Sequence, residues 1–185
     1  MNSKIPEFRE KLQKKLNPGR YEHSLSVAFT CICLAMRYGY PIDQAEVTGM
    51  LHDCAKGYDN DTIIRHCEKK GIEITEDERK APAVLHAKYG AWLAENTYDI
   101  HDQEILDAIA CHTTGKPAMG LLDKILYVAD YIEPRRSKAA NLTAMRKLAF
   151  IDLDEACLEI MESILVYLKS TGCQVDPMTE AACED

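Results

Sequence analysis

The chain predicts an all-α helical bundle, on three observations. Apolar residues recur at helical spacing along nearly its whole length, as in Leu25, Ala28, Phe29, Ile32 and Ala35. Alternating apolar and polar runs bounded by hairpin turns, which would mark strands, are missing. Glycines, prolines and capping residues punctuate the sequence at intervals that suit short connections between helices.

In chain order, Asn17-Pro18-Gly19 ends a first helix, and Gly39 followed by Pro41 separates the second from the third. Gly71 closes a helix that begins near Asp59 or Asp61. Thr75 with Glu78 fits a capping box, Pro82 suits the first turn of the helix carrying His86, and Asp102 can cap the helix that runs to His112. After the break at Gly115 and Pro117, helices are expected over about 120–133, 140–149 and 154–170, the first stopping before Pro134 and the last ended by Gly172.

Length and composition bound the organisation. A chain of 185 residues with 46% hydrophobic and 28% charged residues reads as one folded domain over 1–172, its core over about 18–136, followed by an acidic, flexible tail over 173–185. The formal net charge of −8 speaks against a general nucleic-acid binder or an anionic-membrane binder, because both partners are held by clustered Lys and Arg. Eight cysteines without a CxxC pair offer neither a zinc-ribbon nor a redox motif. With no secretory leader pattern and no apolar run of spanning length, a cytoplasmic protein with reduced, mostly buried thiols is expected.

Five segments each carry a potential metal ligand in helical surroundings: YEHSLSVA, LHDCAK, LHAKYGA, ACHTTGK and YVADYIEP. Their chemistry-bearing residues are His23, the pair His52-Asp53, His86, His112 and Asp130. Adjacent residues on a helix point about 100° apart, so His52 and Asp53 can address one cation together while Asp53 reaches a second. Gathering several imidazoles and two carboxylates without a cation would cost about 1–3 kcal/mol for each polar group left unsatisfied. Imidazole and carboxylate donors without thiolate suit iron, manganese or another first-row ion better than a sulfur-rich structural zinc.

The order His, His-Asp, His, His, Asp resembles the ligand pattern of HD-domain phosphohydrolases, in the fuller form of their dinuclear members. The stretches HTTGKPAM and LDKILYVADYIEP are similar to the YqeK family, bacterial HD-domain enzymes that split diadenosine tetraphosphate symmetrically into two adenosine diphosphates. The resemblance covers roughly residues 18–136. It implies an HD-domain helical bundle in which His23, His52, Asp53 and Asp130 hold one ion and Asp53, His86 and His112 the other. It also implies iron, as two divalent or mixed-valence ions, and a small nucleotide as substrate. Two such cations lower the pKa of a bridging water from about 15.7 towards about 7 and clamp both ends of an in-line displacement at phosphorus. The resulting metal-bridged hydroxide would be the nucleophile. The leaving diphosphate, with a second pKa near about 6, departs without a strong general acid. The chain departs from the family at Arg135, where a glycine is usual in EPGR.

Around this set, Lys56 follows His52 by one helical turn and either meets a substrate phosphate or forms a surface ion pair. Arg20 and Arg136 are phosphate ligands or solvated charges. Thr113, Thr114 and Gly115 either hold phosphate or ribose or simply end a helix, and Asp123 either orients a ligand or favours its helix dipole. Lys88, His66 and His101 read as solvated, and Cys54 and Cys111 as packing. Two rival functions remain at this level: hydrolysis of another nucleotide (a guanosine alarmone, a deoxynucleoside triphosphate or a cyclic nucleotide), and a non-catalytic nucleotide-sensing module.

Overall fold

The computed structural model describes residues 4–185, so the first three residues of the expected domain lie outside the described residues. Among them there is no strand. Eleven α-helices follow one another: α1 Ile5–Lys15, α2 Pro18–Tyr38, α3 Ile42–Leu51, α4 Asn60–Lys70, α5 Glu76–Lys80, α6 Leu85–Tyr98, α7 Gln103–Cys111, α8 Leu121–Ile132, α9 Leu142–Leu148, α10 Leu153–Thr171 and α11 Pro177–Glu184.

Local chemistry sets most of the boundaries. The Asn17 side chain accepts from the Arg20 N–H, so the break after α1 is also the N-cap of α2. Gly39, Gly71 and Gly172 end α2, α4 and α10 in the left-handed conformation, where a Cβ would clash with the backbone. Thr75 and Glu78 form a reciprocal capping box. Pro82 does not open α6 itself. It starts a 3₁₀ turn, Pro82–Val84, that runs directly into α6.

Helix α2 is the centre of the bundle and packs against α3 and α8, with α7 closing on α3 and α8, and α10 covering α8. Its buried face is Ser24, Val27, Ala28, Thr30, Cys31, Leu34 and Ala35. That stripe is rotated from the one expected, because Phe29 is 53% exposed and Leu25 and Ile32 are only half-buried. Small residues on the inner face let α3 come close. A Cβ on Gly49 would stand 2.7 Å from the Ala28 Cα and 2.9 Å from the Cys31 Sγ, so only glycine fits where the two helices meet.

Within the acidic tail, residues 177–184 form α11, opened by Pro177 and capped by Asp176, whose side chain accepts from the Met178 N–H. Thr179 is buried, α11 packs on α10, and the Asp185 carboxylate accepts from the Ala118 N–H at 2.7 Å.

Gly49→Ala should therefore lower stability by about 1–3 kcal/mol, since the Ala28 Cα and N that the new Cβ would meet are backbone and cannot yield without moving the helix. A urea titration checks this. An unchanged midpoint would mean that α2 and α3 have room to separate.

Candidate metal centre and substrate cavity

The six residues expected as ligands converge at one point, and the fold explains how each arrives. His23 lies in α2. His52 and Asp53 follow the last turn of α3, where the chain tightens into successive i→i−3 turns: the Cys54 N–H bonds the Leu51 carbonyl and the Lys56 N–H that of Asp53. His52 and Asp53 thus sit at the mouth of a helix rather than within one, which corrects the helical placement expected for them. His86 stands in the first turn of α6, His112 caps the end of α7, and Asp130 is in α8.

Asp53 is the hub. Its Oδ1 lies 3.3 Å from the His86 Nε2 and 3.7 Å from the His112 Nε2. Its Oδ2 lies 3.4 Å from the His52 Nε2, 3.7 Å from the His23 Nε2 and 2.7 Å from the Arg20 Nη1. Asp130 approaches from the His23 side, with Oδ1 at 3.1 Å from the His23 Nε2. Two donor groups, His23/His52/Asp130 and His52/Asp53/His112, each bring their ligand atoms within 4.8 Å of one another, so His52 stands in reach of both halves.

The tautomers are set by the backbone. The Nδ1 atoms of His52, His86 and His112 face the carbonyls of Gly49, Ala83 and Ile109 at 2.8, 2.6 and 2.7 Å, in each case three residues earlier. A carbonyl only accepts, so Nδ1 carries the proton and a neutral ring turns a bare lone pair at Nε2 inwards. For His52 and His112 the partner carbonyl is one that the end of a helix leaves free. His23 is in mid-helix and has no such carbonyl. Its Nδ1 instead faces the Glu133 Oε1 at 3.3 Å.

Burial drives the His86 imidazole down to about 4, against the pull of Asp53, so the ring is neutral. Burial also pushes the Asp53 carboxyl up, but His52, His112 and His86 hold it well below the usual carboxylate range whenever they turn a proton towards it, so a positive charge, proton or cation, belongs between the rings and the carboxylate. Asp130 is lowered in the same way, burial being outweighed chiefly by His23.

These residues fit a metal ion. The Nε2 atoms of His86 and His112 face each other at 3.2 Å with no proton to share, and the buried Nε2 atoms of His23 and His52 have no hydrogen-bond partner. Converging lone pairs beside a carboxylate leave a deficit that a cation fills and a proton network does not.

The centre forms the floor of a cavity of about 1050 Å³. Arg20, Lys56 and Arg136 line it. Lys56 makes no ion pair among the described residues, while Arg136 is braced on Asp130 through its carbonyl, 2.9 Å, and its Oδ1, 3.2 Å. Burial lowers the Lys56 ammonium, with Asp53 pulling it back up.

Thr113 is part of the centre, its Oγ1 3.3 Å from the His86 Nε2. Thr114 and Gly115 are not brought to the cavity. The Thr114 hydroxyl donates to the Gly115 carbonyl, and Gly115, at φ +72°, is packed so that a Cβ would stand 2.8 Å from the Met161 Cε and 3.0 Å from the Ala182 Cβ. Asp123 accepts from the Gly120 N–H at the start of α8 and pairs with Lys116 at 2.9 Å. Lys88 pairs with Glu78. Cys54 and Cys111 are buried, and burial holds the Cys111 thiol at about 12, so neither offers a thiolate. His66 is half-buried against the Tyr89 hydroxyl, not solvated.

Glu133 is the residue that sequence reasoning missed. It is 3% exposed and held on several sides: the Arg135 N–H donates to its Oε2 at 2.7 Å, and Arg146 donates to the carbonyls of Ile132, Glu133 and Arg136. A carboxylate at the end of α8, where the helix dipole disfavours negative charge, was the available signal. Arg135, at the departure from the family pattern, contributes through its backbone N–H, while its side chain points to Glu22 at 3.6 Å.

Comparison with known proteins places the chain. The HD domain family model matches residues 20–135. A symmetrical bis(5'-nucleosyl)-tetraphosphatase of Bacillus subtilis is 36% identical over 91% of this chain and 89% of its own length, and one of Halalkalibacterium halodurans is 35% identical over 90% and 88%. The solved structure of a Clostridium acetobutylicum protein, described as an HD superfamily hydrolase involved in NAD metabolism, superposes with a TM-score of 0.94 at 35% identity, covering 97% of this chain and 94% of that one. The chain belongs to the HD-domain family, on its YqeK branch.

Proposed function

We propose that this chain is a metal-dependent phosphohydrolase that cleaves dinucleoside tetraphosphates symmetrically, converting diadenosine tetraphosphate into two adenosine diphosphates. The observation that carries this reading is the division of Asp53: one oxygen faces His86 and His112, the other His23 and His52, with three cationic side chains lining the cavity above. The relatives named as symmetrical tetraphosphatases, similar over nine-tenths of the chain, support the substrate.

HD-domain hydrolases bind divalent metals, and we infer two ions here: one held by His23, His52, Asp53 and Asp130, the other by Asp53, His86 and His112. The all-nitrogen and oxygen donor set supports iron, with manganese the nearest substitute. When bound, the ions supply the Lewis acidity that makes water nucleophilic at neutral pH and offsets charge on the phosphorane-like transition state.

The chain's own side chains do the rest. Asp53 joins the two halves of the centre. Arg20, Lys56 and Arg136 meet the polyphosphate, holding its central phosphates over Asp53 and cancelling part of its charge. Thr113 can donate to a phosphate oxygen beside His86. Water adds to one central phosphorus, the bridging P–O bond breaks, and the bridging oxygen leaves with the second diphosphate. That product is stable as an anion near neutrality, so no strong side-chain acid is required. Free thiols at all eight cysteines support a reducing, cytoplasmic setting, and no helix among the described residues is long and apolar enough to cross a membrane.

Metal-loaded protein incubated with diadenosine tetraphosphate should yield adenosine diphosphate as the sole nucleotide product by chromatography. Adenosine triphosphate with monophosphate, or turnover only of a guanosine alarmone or deoxynucleoside triphosphate, would overturn the reading. Asp53→Ala should reduce bound metal from about two ions per chain to at most about one and cut kcat/KM by at least about 10³-fold, as metal analysis and steady-state kinetics will show. Glu133→Ala should weaken metal binding by about 10- to 100-fold through a misoriented His23, while Glu133→Gln, which keeps an acceptor for the Nδ1 proton, loses less. Competitive chelator titration measures both.

A further inference from the structure

The Lys56 ammonium lines the cavity beside Arg20 and Asp53 but makes no hydrogen bond or ion pair among the described residues. No neighbouring side chain fixes where it stands. Its place is set by the backbone that carries it, the run of tight turns from His52 to Tyr58 that follows α3, in which the Lys56 N–H bonds the Asp53 carbonyl and the Tyr58 N–H that of Ala55.

Two contacts outside the cavity hold that run. On one side Gly57 lies against the end of α1, where a Cβ would stand 2.6 Å from the Lys15 carbonyl oxygen, so the two backbones approach as closely as glycine allows. On the other, the Tyr58 ring closes a triangle with His66 of α4 and Tyr89 of α6. Ring centres are 5.5 Å apart from Tyr58 to His66, 5.6 Å from Tyr58 to Tyr89 and 5.2 Å from His66 to Tyr89. Tyr58 meets both partners edge-on, at 70° and 72°, the geometry that aromatic pairs favour.

The triangle is also hydrogen-bonded. The Tyr89 hydroxyl stands 2.8 Å from the His66 Nδ1. Burial, with Tyr58 beside it, pushes the Tyr89 phenol up to about 12, so it keeps its proton and has it to donate. A hydrogen-bonded pair within a ring cluster fixes rotation as well as distance, which aliphatic packing does not. Tyr89 follows the centre's His86 by one turn of α6, and Tyr58 comes two places after Lys56. The triangle thereby ties the helix that brings His86 to the segment that brings Asp53 and Lys56, while none of its three residues lines the cavity.

Resting on the proposed hydrolase reading, we propose that Tyr58, His66 and Tyr89 are positioning residues for the phosphate grip: their triangle sets where Lys56 stands relative to Asp53 and His86, touching neither substrate nor metal. The imidazoles of His52, His86 and His112 each have a carbonyl anchor of their own, whereas Lys56 has none. Loosening the triangle therefore lets the Lys56 segment drift while the ligands of the ions stay in place, and the loss falls on phosphate binding.

Calorimetric titration of the metal-loaded full chain with adenosine diphosphate, with metal analysis of the same samples, tests this. Lys56→Ala should weaken adenosine diphosphate by about 10- to 100-fold. Tyr58→Ala and Tyr89→Phe should each weaken it by about 3- to 10-fold, raise KM for diadenosine tetraphosphate more than they lower kcat, and leave metal content unchanged. Tyr58→Phe, which keeps the ring, should stay within about 2-fold of wild type. His66→Phe together with Tyr89→Phe should lose no more than either alone, since both delete the same hydrogen bond. Wild-type affinity in Tyr58→Ala and Tyr89→Phe beside a weakened Lys56→Ala would overturn the triangle and leave the hydrolase. Loss of metal in step with adenosine diphosphate would also overturn it, by reducing the three residues to general support. Lys56→Ala without effect would instead remove Lys56 from the phosphate wall, and with it the reading on which the triangle rests.

Discussion

Everything in the centre turns on Asp53, a buried carboxylate surrounded by imidazoles that present lone pairs rather than protons. Such an arrangement is unfavourable in the bare protein and favourable around cations, because each Nε2 has given its proton-bearing role to Nδ1. The rest of the fold follows from having to hold it. Three of the four histidines lie at helix ends or in a first turn, where a carbonyl three residues back anchors the ring. The fourth comes from the middle of α2 and needs the Glu133 carboxylate, which the Arg146 clamp keeps in place at the end of α8. Gly49 serves twice: its missing side chain lets α3 reach α2, and its carbonyl fixes His52.

The same geometry divides the labour. Histidines and carboxylates form a floor rigid enough to hold cations at set distances, and the cations of the wall sit on longer, more mobile side chains suited to a flexible polyphosphate. Arg20 now pairs with the Asp53 Oδ2. A cation sharing that oxygen would weaken the pair and free the guanidinium for phosphate, which would couple filling of the centre to preparation of the substrate wall.

Much of this was legible from order and residue type. Six candidate ligands in five segments, with His52 and Asp53 adjacent, are a pattern that follows from the need to surround a point from several elements. The helix boundaries were legible because Asn17, Asp59, Thr75 and the glycines at 39, 71 and 172 act locally. What was not legible depends on tertiary neighbours. The hydroxyl of Thr113 and that of Thr114 look alike in HTTGK, yet only the former faces the centre, because the left-handed turn at Gly115 sends the chain under Met161 and Ala182. Glu133 was hidden because its role exists only opposite His23, 110 residues earlier in the chain. The cavity wall draws on α8, the approach to α9 and α10, whose residues carry no shared motif, and α11 depends on a contact face on α10 that composition does not reveal.

Diffraction at the absorption edge of the bound metal tests the central claim most directly. The account predicts two anomalous peaks, one on each side of the Asp53 carboxylate, each about 2.0–2.2 Å from its nearest nitrogen and oxygen donors: one peak on His23, His52 and Asp130, the other on His86 and His112. A single peak, or peaks that leave Asp53 uncoordinated, would contradict it.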